Sequence, residues 1–362
     1  MTKARDIADL AATKTRLDTV GKSDGPLSNR NVVINGAMNV SQRHGTSSVQ
    51  LSATEQYLTD RFFNDAGSSM NMTADAVQSS DAPSGFNNSL KLSCDAVTTP
   101  SATENGCITT QIEGQDCQSF AFGTSDAKDI TLSFYAKSSS QNSGHTYGIF
   151  LGAFLNGTRN AQVKGFTVTD SWQRFIITFN GTGTVTSTGI NDDNNLGMQI
   201  TFSLAAGSSD QVSYSTWTND TGLKGFTGQD NFFDNTSNEF YLTGVQLEVG
   251  SQSTPFEHEP YSTTLAKCQR YYEIGDIGGN TYRISMNRGT TSASYYWSID
   301  LRKTKRVIPT CTITQSFNDN LSLSVHPSAT GVNHLGVKNA TGGSTDTRAL
   351  AELSHWTADA EF

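Results

Sequence analysis

The ten residues from Tyr241 to Gly250 constrain the fold of this chain more than any other segment. One side of an extended segment would hold Tyr241, Thr243, Val245, Leu247 and Val249. The other side would hold Leu242, Gly244, Gln246, Glu248 and Gly250. This period of two predicts a strand with one covered face. A Gly-Ser pair and Pro255 follow, so the strand is predicted to end before them.

Other segments before residue 260 have the composition of short strands. They are Asn31–Ile34, Gln56–Phe63, Ser89–Cys94, Cys107–Ile112, Ile130–Lys137, Thr146–Phe154, Gln173–Phe179, Met198–Ala205 and Phe240–Val249. Clusters of Gly, Asn, Asp and Ser separate them, as in sheet proteins with many turns. The pattern predicts a two-layer sandwich with apolar inner faces. Trp172, close to Phe175, is interpreted as part of its core.

Composition supports an all-β chain and excludes several functions. Charged residues make up 16% of the 362 residues, against about 25% in an average soluble protein. A net charge of −9 argues against sequence-independent binding of nucleic acid, which needs clustered Lys and Arg. The basic run Arg302–Arg306 is interpreted as a solvated strand end or turn. The five cysteines show no Cys-x-x-Cys pair and are predicted to be reduced and mostly buried.

No apolar run approaches the roughly 18 residues that a membrane span needs, so no membrane insertion is predicted. The N-terminus also lacks the apolar segment of a secretory signal. Export by the general secretory route is therefore not expected.

The last hundred residues are predicted to form a smaller β-rich domain, residues 261–362. Its candidate strands are Tyr282–Met286, Ala293–Leu301, Thr310–Gln315, Leu321–Val325 and Arg348–Leu353. Leu265–Tyr272 instead has helical spacing and is predicted to be a short helix. The domain boundary is placed near Pro260.

Residues 1–30 are predicted to be an attachment segment with a short helix. Ile7, Leu10 and Leu17 form an apolar stripe at helical spacing. Helices under about 12–15 residues are marginal alone in water, so the stripe needs a partner surface. A trimeric bundle, an adaptor that inserts into a larger particle, and a frayed terminus remain open. Lys22–Pro26 is the predicted joint to the sandwich, residues 31–260.

Several short segments carry a resemblance to a known class of proteins. They are Asn35-Gly-Ala-Met-Asn-Val40 with Gln42-Arg43, Asp60-Arg-Phe-Phe63, Ser133-Phe-Tyr-Ala-Lys137, Trp172-Gln-Arg-Phe175, Tyr241–Gly250 with Pro255-Phe-Glu257, Cys268–Tyr272, Arg306-Val-Ile-Pro-Thr310 and Thr357–Phe362. In this order the chain resembles bacteriophage tail-fibre and related virion proteins. The resemblance implies a jelly roll like that of a carbohydrate-binding module, followed by a distal domain. It also implies a homotrimer.

Exposed aromatic rings are the usual platform for sugars, and neighbouring amide and acidic side chains orient the hydroxyl groups. Tyr295 and Trp297 are the first candidates, because a strand would place both on one face with Tyr296 opposite. Trp217 lies in a polar segment and is the third candidate. The alternative is that one face of the strand at Tyr295–Trp297 is core.

The resemblance also implies a structural calcium ion, which takes six to eight oxygen ligands. Candidate ligands are Asp192 and Asp193 in one Asn/Asp run, and Asp230 and Asp234 in another. Both runs also suit polar turns whose side chains bond to their own backbone. No other cofactor is expected.

No catalytic motif is present in the sequence. A glycosidase needs two carboxylates across the sugar bond, and Glu248 with Glu257 is the pair considered. Glu248 is expected to face solvent and Glu257 to meet a nearby cation. The His residues stand alone, and neither a Gly-x-Ser-x-Gly elbow nor a Gly-rich phosphate loop occurs. The sequence therefore favours a protein that is not an enzyme.

The predicted function is that of a virion tail-fibre protein, made in the bacterial cytoplasm. Its N-terminus would attach to other tail proteins, and its distal parts would bind a host surface polysaccharide. Weak single contacts suffice when several copies engage one surface. The alternatives are a depolymerase of surface polysaccharide and a purely structural tail or capsid decoration.

Overall fold

A computed structural model of the chain describes residues 28–65, 70–182, 189–220, 222, 224–276, 282–287, 296–319, 322–340 and 348–362. The chain divides between Glu259 and Pro260 into two compact units. The attachment helix predicted around Ile7, Leu10 and Leu17 lies outside the described residues.

The first unit is built from short and medium strands. They are β1 (Val49–Gln50), β2 (Gln56–Thr59), β3 (Phe62–Asn64), β4 (Ala74–Ser79), β5 (Ser89–Cys94), β6 (Asn105–Glu113), β7 (Ile130–Ser138), β8 (Thr146–Leu155), β9 (Thr158–Thr167), β10 (Gln173–Phe179), β11 (Leu196–Ala206), β12 (Gln211–Val212), β13 (Thr218–Asn219), β14 (Gly225–Phe226) and β15 (Glu239–Val249). Two 3₁₀ turns, Gly114–Phe120 and Phe232–Asp234, connect some of them.

These strands form two main sheets that pack as a sandwich. One sheet has six strands in the order β1-β4-β5-β15-β7-β10, and the other has seven in the order β13-β9-β8-β11-β6-β3-β2. One apolar cluster fills the space between the sheets, with Leu132, Phe134 and Leu242 from the first and Ile149 and Phe202 from the second. The predicted all-β sandwich is confirmed.

A bulge in β15 changes which residues face this core. The pairing of β15 with β7 shifts register between Thr243 and Gln246, and Gly244 adopts φ +62°. An extra residue of this kind reverses the alternation of a strand. Leu242 and Val245 therefore both face the core, and Tyr241 faces outward. The prediction of one unbroken face from Tyr241 to Val249 is wrong.

Two further strand predictions in this unit are wrong. Asn31–Ile34 is not a strand, although the Val32 N–H donates to the Leu247 carbonyl at 3.2 Å. Gln56–Phe63 is a hairpin rather than one strand, because Arg61 takes the left-handed conformation at φ +71°. The other predicted strands are confirmed, with ends shifted by no more than two residues.

The second unit begins with helix α1 (Tyr261–Cys268). Its strands are β16 (Tyr272–Asp276), β17 (Tyr282–Asn287), β18 (Tyr296–Asp300), β19 (Thr310–Asp319), β20 (Ser322–Val325), β21 (His334–Ala340) and β22 (Arg348–Asp359). A 3₁₀ turn spans Pro327–Ala329. The helix begins four residues before its predicted start at Leu265, and Tyr272, which was predicted to be helical, belongs to β16. Strands β16, β17, β19 and β22 form one sheet and β18, β21 and β20 another.

The basic run of the second unit is solvated at Arg302, Lys303 and Thr304, as predicted, but not at Lys305. The Lys305 side chain is 0% exposed, and its Nζ lies 2.6 Å from the buried Glu273 carboxylate. The Arg302 side chain also pairs with Glu273, and Arg306 lies 4.2 Å from the centre of the Phe362 ring. The run therefore holds the second unit together. The five cysteines are thiols that form no disulfide, and all but Cys311 are buried.

Candidate functional site

The outer face of the six-stranded sheet carries a row of aromatic and charged side chains, which we call the open face. Tyr241 of β15 lies opposite Lys91 of β5 on one side and Lys137 of β7 on the other. Trp172 precedes β10 and lies 6.1 Å from Tyr241 between ring centres. The Lys137 Nζ lies 4.5 Å from the Tyr241 ring centre and 5.6 Å from that of Trp172.

Each lysine of the open face pairs with one carboxylate. Lys91 lies 2.6 Å from Glu239, and Lys137 lies 2.5 Å from Asp81. The Tyr241 hydroxyl donates to Glu239 at 2.8 Å, and the Trp172 indole N–H donates to Asp81 at 3.1 Å. These four charges cancel in pairs. The rings are thus held in place by hydrogen bonds to groups that remain part-exposed.

Electrostatics keep both carboxylates ionised. Burial alone would raise the pKa of Asp81, but hydrogen bonds from Lys137 and Trp172 outweigh it and lower that pKa. Burial would likewise raise the pKa of Glu239, and the contacts with Lys91 and Tyr241 lower it instead. Both groups therefore offer acceptor oxygens at neutral pH.

A second group of rings, which we call the ring cluster, adjoins the open face. The Phe86 ring centre lies 5.2 Å from Tyr135, 5.0 Å from Phe256 and 5.0 Å from His258. Gly244 lies beneath it, where an added Cβ would come within 2.8 Å of both Phe86 and Tyr135. Only glycine combines this close approach with the positive φ of the bulge. The bulge in β15 therefore makes room for the ring cluster.

This surface has the elements of a saccharide site. The part-exposed Trp172 ring can stack on the apolar face of a pyranose, while Tyr241, which is only 6% exposed, packs against it. Ammonium and carboxylate groups can bond the hydroxyls of the sugar. Ion pairs with Glu239 and Asp81 hold Lys91 and Lys137 in place.

The ligand residues expected from the sequence lie elsewhere. Trp297 is part-buried against the core of the second unit, so the alternative interpretation of its strand is correct for this residue. The exposed ring there is Tyr296, 59% exposed and 4.9 Å from the His326 ring centre. Tyr295 lies outside the described residues.

Trp217 closes an edge of the sandwich. It packs against the main core, with its ring 5.2 Å from Phe122, and its indole N–H donates to the Asn180 carbonyl at 2.6 Å. Trp217 is part-buried, as Trp172 is, and its role in ligand binding stays a prediction.

Of the four aspartates expected to bind calcium, Asp192 and Asp193 lie in a polar bend, Asp234 ends the 3₁₀ turn Phe232–Asp234, and Asp230 bonds to β8. Asp193 accepts the Asn195 backbone N–H at 2.9 Å, while Asp192 is exposed. Asp230 accepts the Thr146 N–H at 2.7 Å, and Asp234 accepts the Asn238 amide at 2.7 Å. Within the ranges described, no three His, Cys, Asp or Glu side chains converge on a point that could hold a metal.

The carboxylate pair considered for catalysis is committed to the backbone. Glu248 is 1% exposed rather than solvated, and it accepts hydrogen bonds from the Thr254 N–H and hydroxyl at 2.7 and 2.8 Å. Glu257 accepts from three backbone amides instead of pairing only with a cation. Both carboxylates therefore stabilise the fold through hydrogen bonds.

Sequence reasoning missed the residues of the open face. The prediction that Trp172 belongs to the core is wrong. Trp172 lies on the same side as Arg174 and Ile176, whereas Phe175 and Ile177 pack inward. That alternation is visible in the sequence. The outward position of Tyr241 depends on the bulge, for which Gly244 is the one local signal.

Comparisons with known proteins identify no family. No protein-family model matches the sequence, and no curated protein does. Among solved structures, the chain is similar to the enzymatically active domain of bacteriophage CBA120 tailspike protein 4 (12% identity, TM-score 0.30), over 60% of this chain and 21% of that one. It is also similar to the CBM22-1 xylan-binding domain from Paenibacillus barcinonensis Xyn10C (10% identity, TM-score 0.29), over 58% of this chain and 99% of that one.

A third similar structure is the N-terminal cellulose-binding domain from Cellulomonas fimi β-1,4-glucanase C, with 14% identity and TM-score 0.27, over 48% of this chain and 86% of that one. At these values the likenesses support no functional argument. No helix among the described residues has the length and apolar character of a membrane span.

Proposed function

We propose that this chain is a non-catalytic receptor-binding protein of a virion tail fibre and that its open face binds host surface polysaccharide. The observation that carries the proposal is the row of Trp172, Lys137, Tyr241 and Lys91 on the outer sheet face, in which Tyr241 is buried and the other three are part-exposed. Each ring is oriented by a hydrogen bond to a part-exposed carboxylate. A site of this form binds by stacking and hydrogen bonding.

The virion setting is supported by the resemblance of the short segments to tail-fibre proteins. Attachment through the N-terminus and a homotrimeric assembly follow from the same resemblance and belong to the proposal. Several copies on one particle would raise the avidity of weak sites, so a shallow face suffices.

Binding, rather than bond cleavage, is supported by the roles of Glu248 and Glu257. Their oxygens accept backbone N–H groups, which leaves them poorly placed to act on a sugar bond. A polysaccharide bound at the open face would meet Asp81 and Glu239, but each of these is neutralised by a lysine. A general acid needs a raised pKa, whereas theirs are lowered.

The test measures binding of the full chain to bacterial capsular polysaccharides and lipopolysaccharide O-chains by calorimetry. Trp172→Ala is expected to weaken binding at least about tenfold, or ~1.4 kcal/mol. Tyr261→Ala is the control, because it removes a ring that is 58% exposed outside the site. Soluble protein should also block adsorption of the phage to its host.

The outcomes separate the alternatives. Release of reducing sugar would show a depolymerase. Unchanged affinity of Trp172→Ala together with a loss in Tyr296→Ala would move the site to the second unit. Failure of the parent chain to bind any host polysaccharide or to block adsorption would favour a structural virion protein.

A further inference from the structure

The first described residues and the last residues of the first unit meet at one carboxylate. Glu257 Oε1 accepts the backbone N–H of Asn29 at 2.8 Å, and its Oε2 accepts those of Arg30 at 2.6 Å and Asn31 at 3.0 Å. The unit ends two residues later, at Glu259. Charge-assisted hydrogen bonds of this kind are about twice as strong as neutral ones. The first and last residues of the sandwich are therefore joined directly.

The first segment continues along β15. The Val32 N–H donates to the Leu247 carbonyl at 3.2 Å, and the Val245 N–H donates to the Gly36 carbonyl at 2.9 Å. The Asn31 side chain bonds to the same two residues of β15, accepting from the Leu247 N–H and donating to the Val245 carbonyl. As residue numbers rise along the first segment, those of its partners on β15 fall. This segment therefore runs antiparallel to β15.

The last segment also runs antiparallel to β15. Thr254 bonds to Glu248, and the Glu257 N–H donates to the Gln246 side chain at 2.8 Å. The Gln246 amide N–H₂ in turn donates to Glu248 and to the Thr254 hydroxyl. Since both segments oppose β15, they run parallel to each other. We call residues 29–36 and 254–257, with residues 245–248 of β15, the terminal clasp.

Two parallel segments that are pulled from the start of one and the end of the other are loaded in shear. All the hydrogen bonds between them then resist together, whereas a hairpin pulled open at its end loses its bonds one at a time. We propose that the terminal clasp bears load: tension between the N-terminal side and the second unit is carried through Glu257 and does not reach the sandwich core until the clasp breaks.

Neighbouring rings support the clasp. Phe256 and His258 flank Glu257, and both pack on Phe86 of the ring cluster. The Phe256 and His258 rings also lie 4.9 Å apart. The open face would thus stay folded while an attachment protein is under tension. This role is independent of which ligand binds.

Force spectroscopy on single full-length chains, held at both termini, tests the proposal. Asn29 and Glu257 are 228 positions apart, so rupture of the clasp should release about 80 nm of chain at ~3.5 Å per residue. We expect one large step of this length in the parent. Glu257→Gln should raise the rupture rate at a given force about tenfold and leave the step length unchanged.

Glu104→Gln is the matched control, because Glu104 accepts one backbone N–H, that of Ser101 at 2.7 Å, in an exposed turn outside the clasp. It should break like the parent. Should Glu257→Gln not fold, Thr254→Val decides, since it removes the hydroxyl that donates to Glu248 and should also raise the rupture rate. Equal rates in parent and clasp variants, or stepwise unfolding of the sandwich in short increments at low force, would overturn the proposal.

Discussion

The outer faces of the two sheets differ in what covers them. On the seven-stranded sheet, Val212, Tyr214 and Phe226 pack over Phe150 and Val163 in a second small apolar cluster, which we call the covered face. On the six-stranded sheet the open face carries ion pairs, the part-exposed Trp172 and the buried Tyr241 instead. Apolar side chains thus cover one face, whereas the other keeps Lys91, Lys137, Asp81 and Glu239 at least partly exposed.

Glycine residues in the strands determine how closely the covering side chains approach the sheet. A Cβ at Gly165 of β9 would lie 2.6 Å from the Phe226 ring, so that ring seats directly on the backbone. On the open face, Gly244 admits Phe86 in the same way, but only at one end of the sheet. In the row from Lys91 to Trp172, both lysines and Trp172 stay part-exposed and the lysines form ion pairs.

The largest expected effect is on the free energy of unfolding, and it compares the buried ion pair of the second unit with an ion pair of the open face. Lys305→Met leaves the buried Glu273 with Arg302 as its remaining cation and should lower the free energy of unfolding of the second unit by about 3 kcal/mol. Lys137→Met on the open face should cost under about 1 kcal/mol. Urea denaturation of both variants measures the difference. Equal losses would mean that the open-face pairs are also structural.

The covered face should respond to loss of its cover. Phe226→Ala removes a ring that packs on β8 and β9, and we expect the free energy of unfolding to fall by about 2–3 kcal/mol. Polysaccharide binding should stay unchanged. Ile176→Ala, at a side chain that is 54% exposed, serves as the control and should cost under about 0.5 kcal/mol. A loss of binding in Phe226→Ala would show that the covered face takes part in recognition.

A smaller effect concerns the lysines of the open face. Lys137→Gln should weaken polysaccharide binding about threefold to tenfold, because it removes a charged donor beside Trp172 and Tyr241. Calorimetry measures it against Lys267→Gln on α1. If the two variants bind alike, the ammonium group does not contact the ligand.

The smallest effect is a pH dependence confined to the open face. The pKa values of Asp81 and Glu239 are lowered, so the stabilisation from their pairs is present above their unfolded values of about 4 and is lost as the pH falls through the folded values. Binding should therefore weaken below about pH 4. Asp81→Asn should remove part of this dependence, and an unaltered profile in that variant would contradict the assignment.

The sequence predicted the sandwich well where apolar residues alternate. Ser89–Cys94 and Gln173–Phe179 have the predicted bounds, since their inward residues are apolar. Strand β9 escaped prediction because its polar Asn160 and Gln162 are buried, which hides the alternation. Helix α1 was misplaced because its own face is only weakly apolar.

The candidate site could not be predicted from local patterns. Lys91, Lys137 and Tyr241 come from three strands far apart in the chain, and only the pairing of β5, β15 and β7 brings them together. Lys305 looked like part of a solvated charge run because its partner Glu273 is 32 positions away. Long-range convergence, rather than composition, determines both groups.

Because of the bulge at Gly244, even-numbered residues of β15 face the core before it and odd-numbered residues face the core after it. Deleting this one residue would leave Thr243 alone between Leu242 and Val245, so simple alternation would keep both of these residues inside and Tyr241 outside. Flattening the bulge at unchanged length would instead turn one half of the strand over. With the later half held in place, Tyr241 would point inward and Leu242 outward, so the conformation at Gly244 decides whether the open face exists.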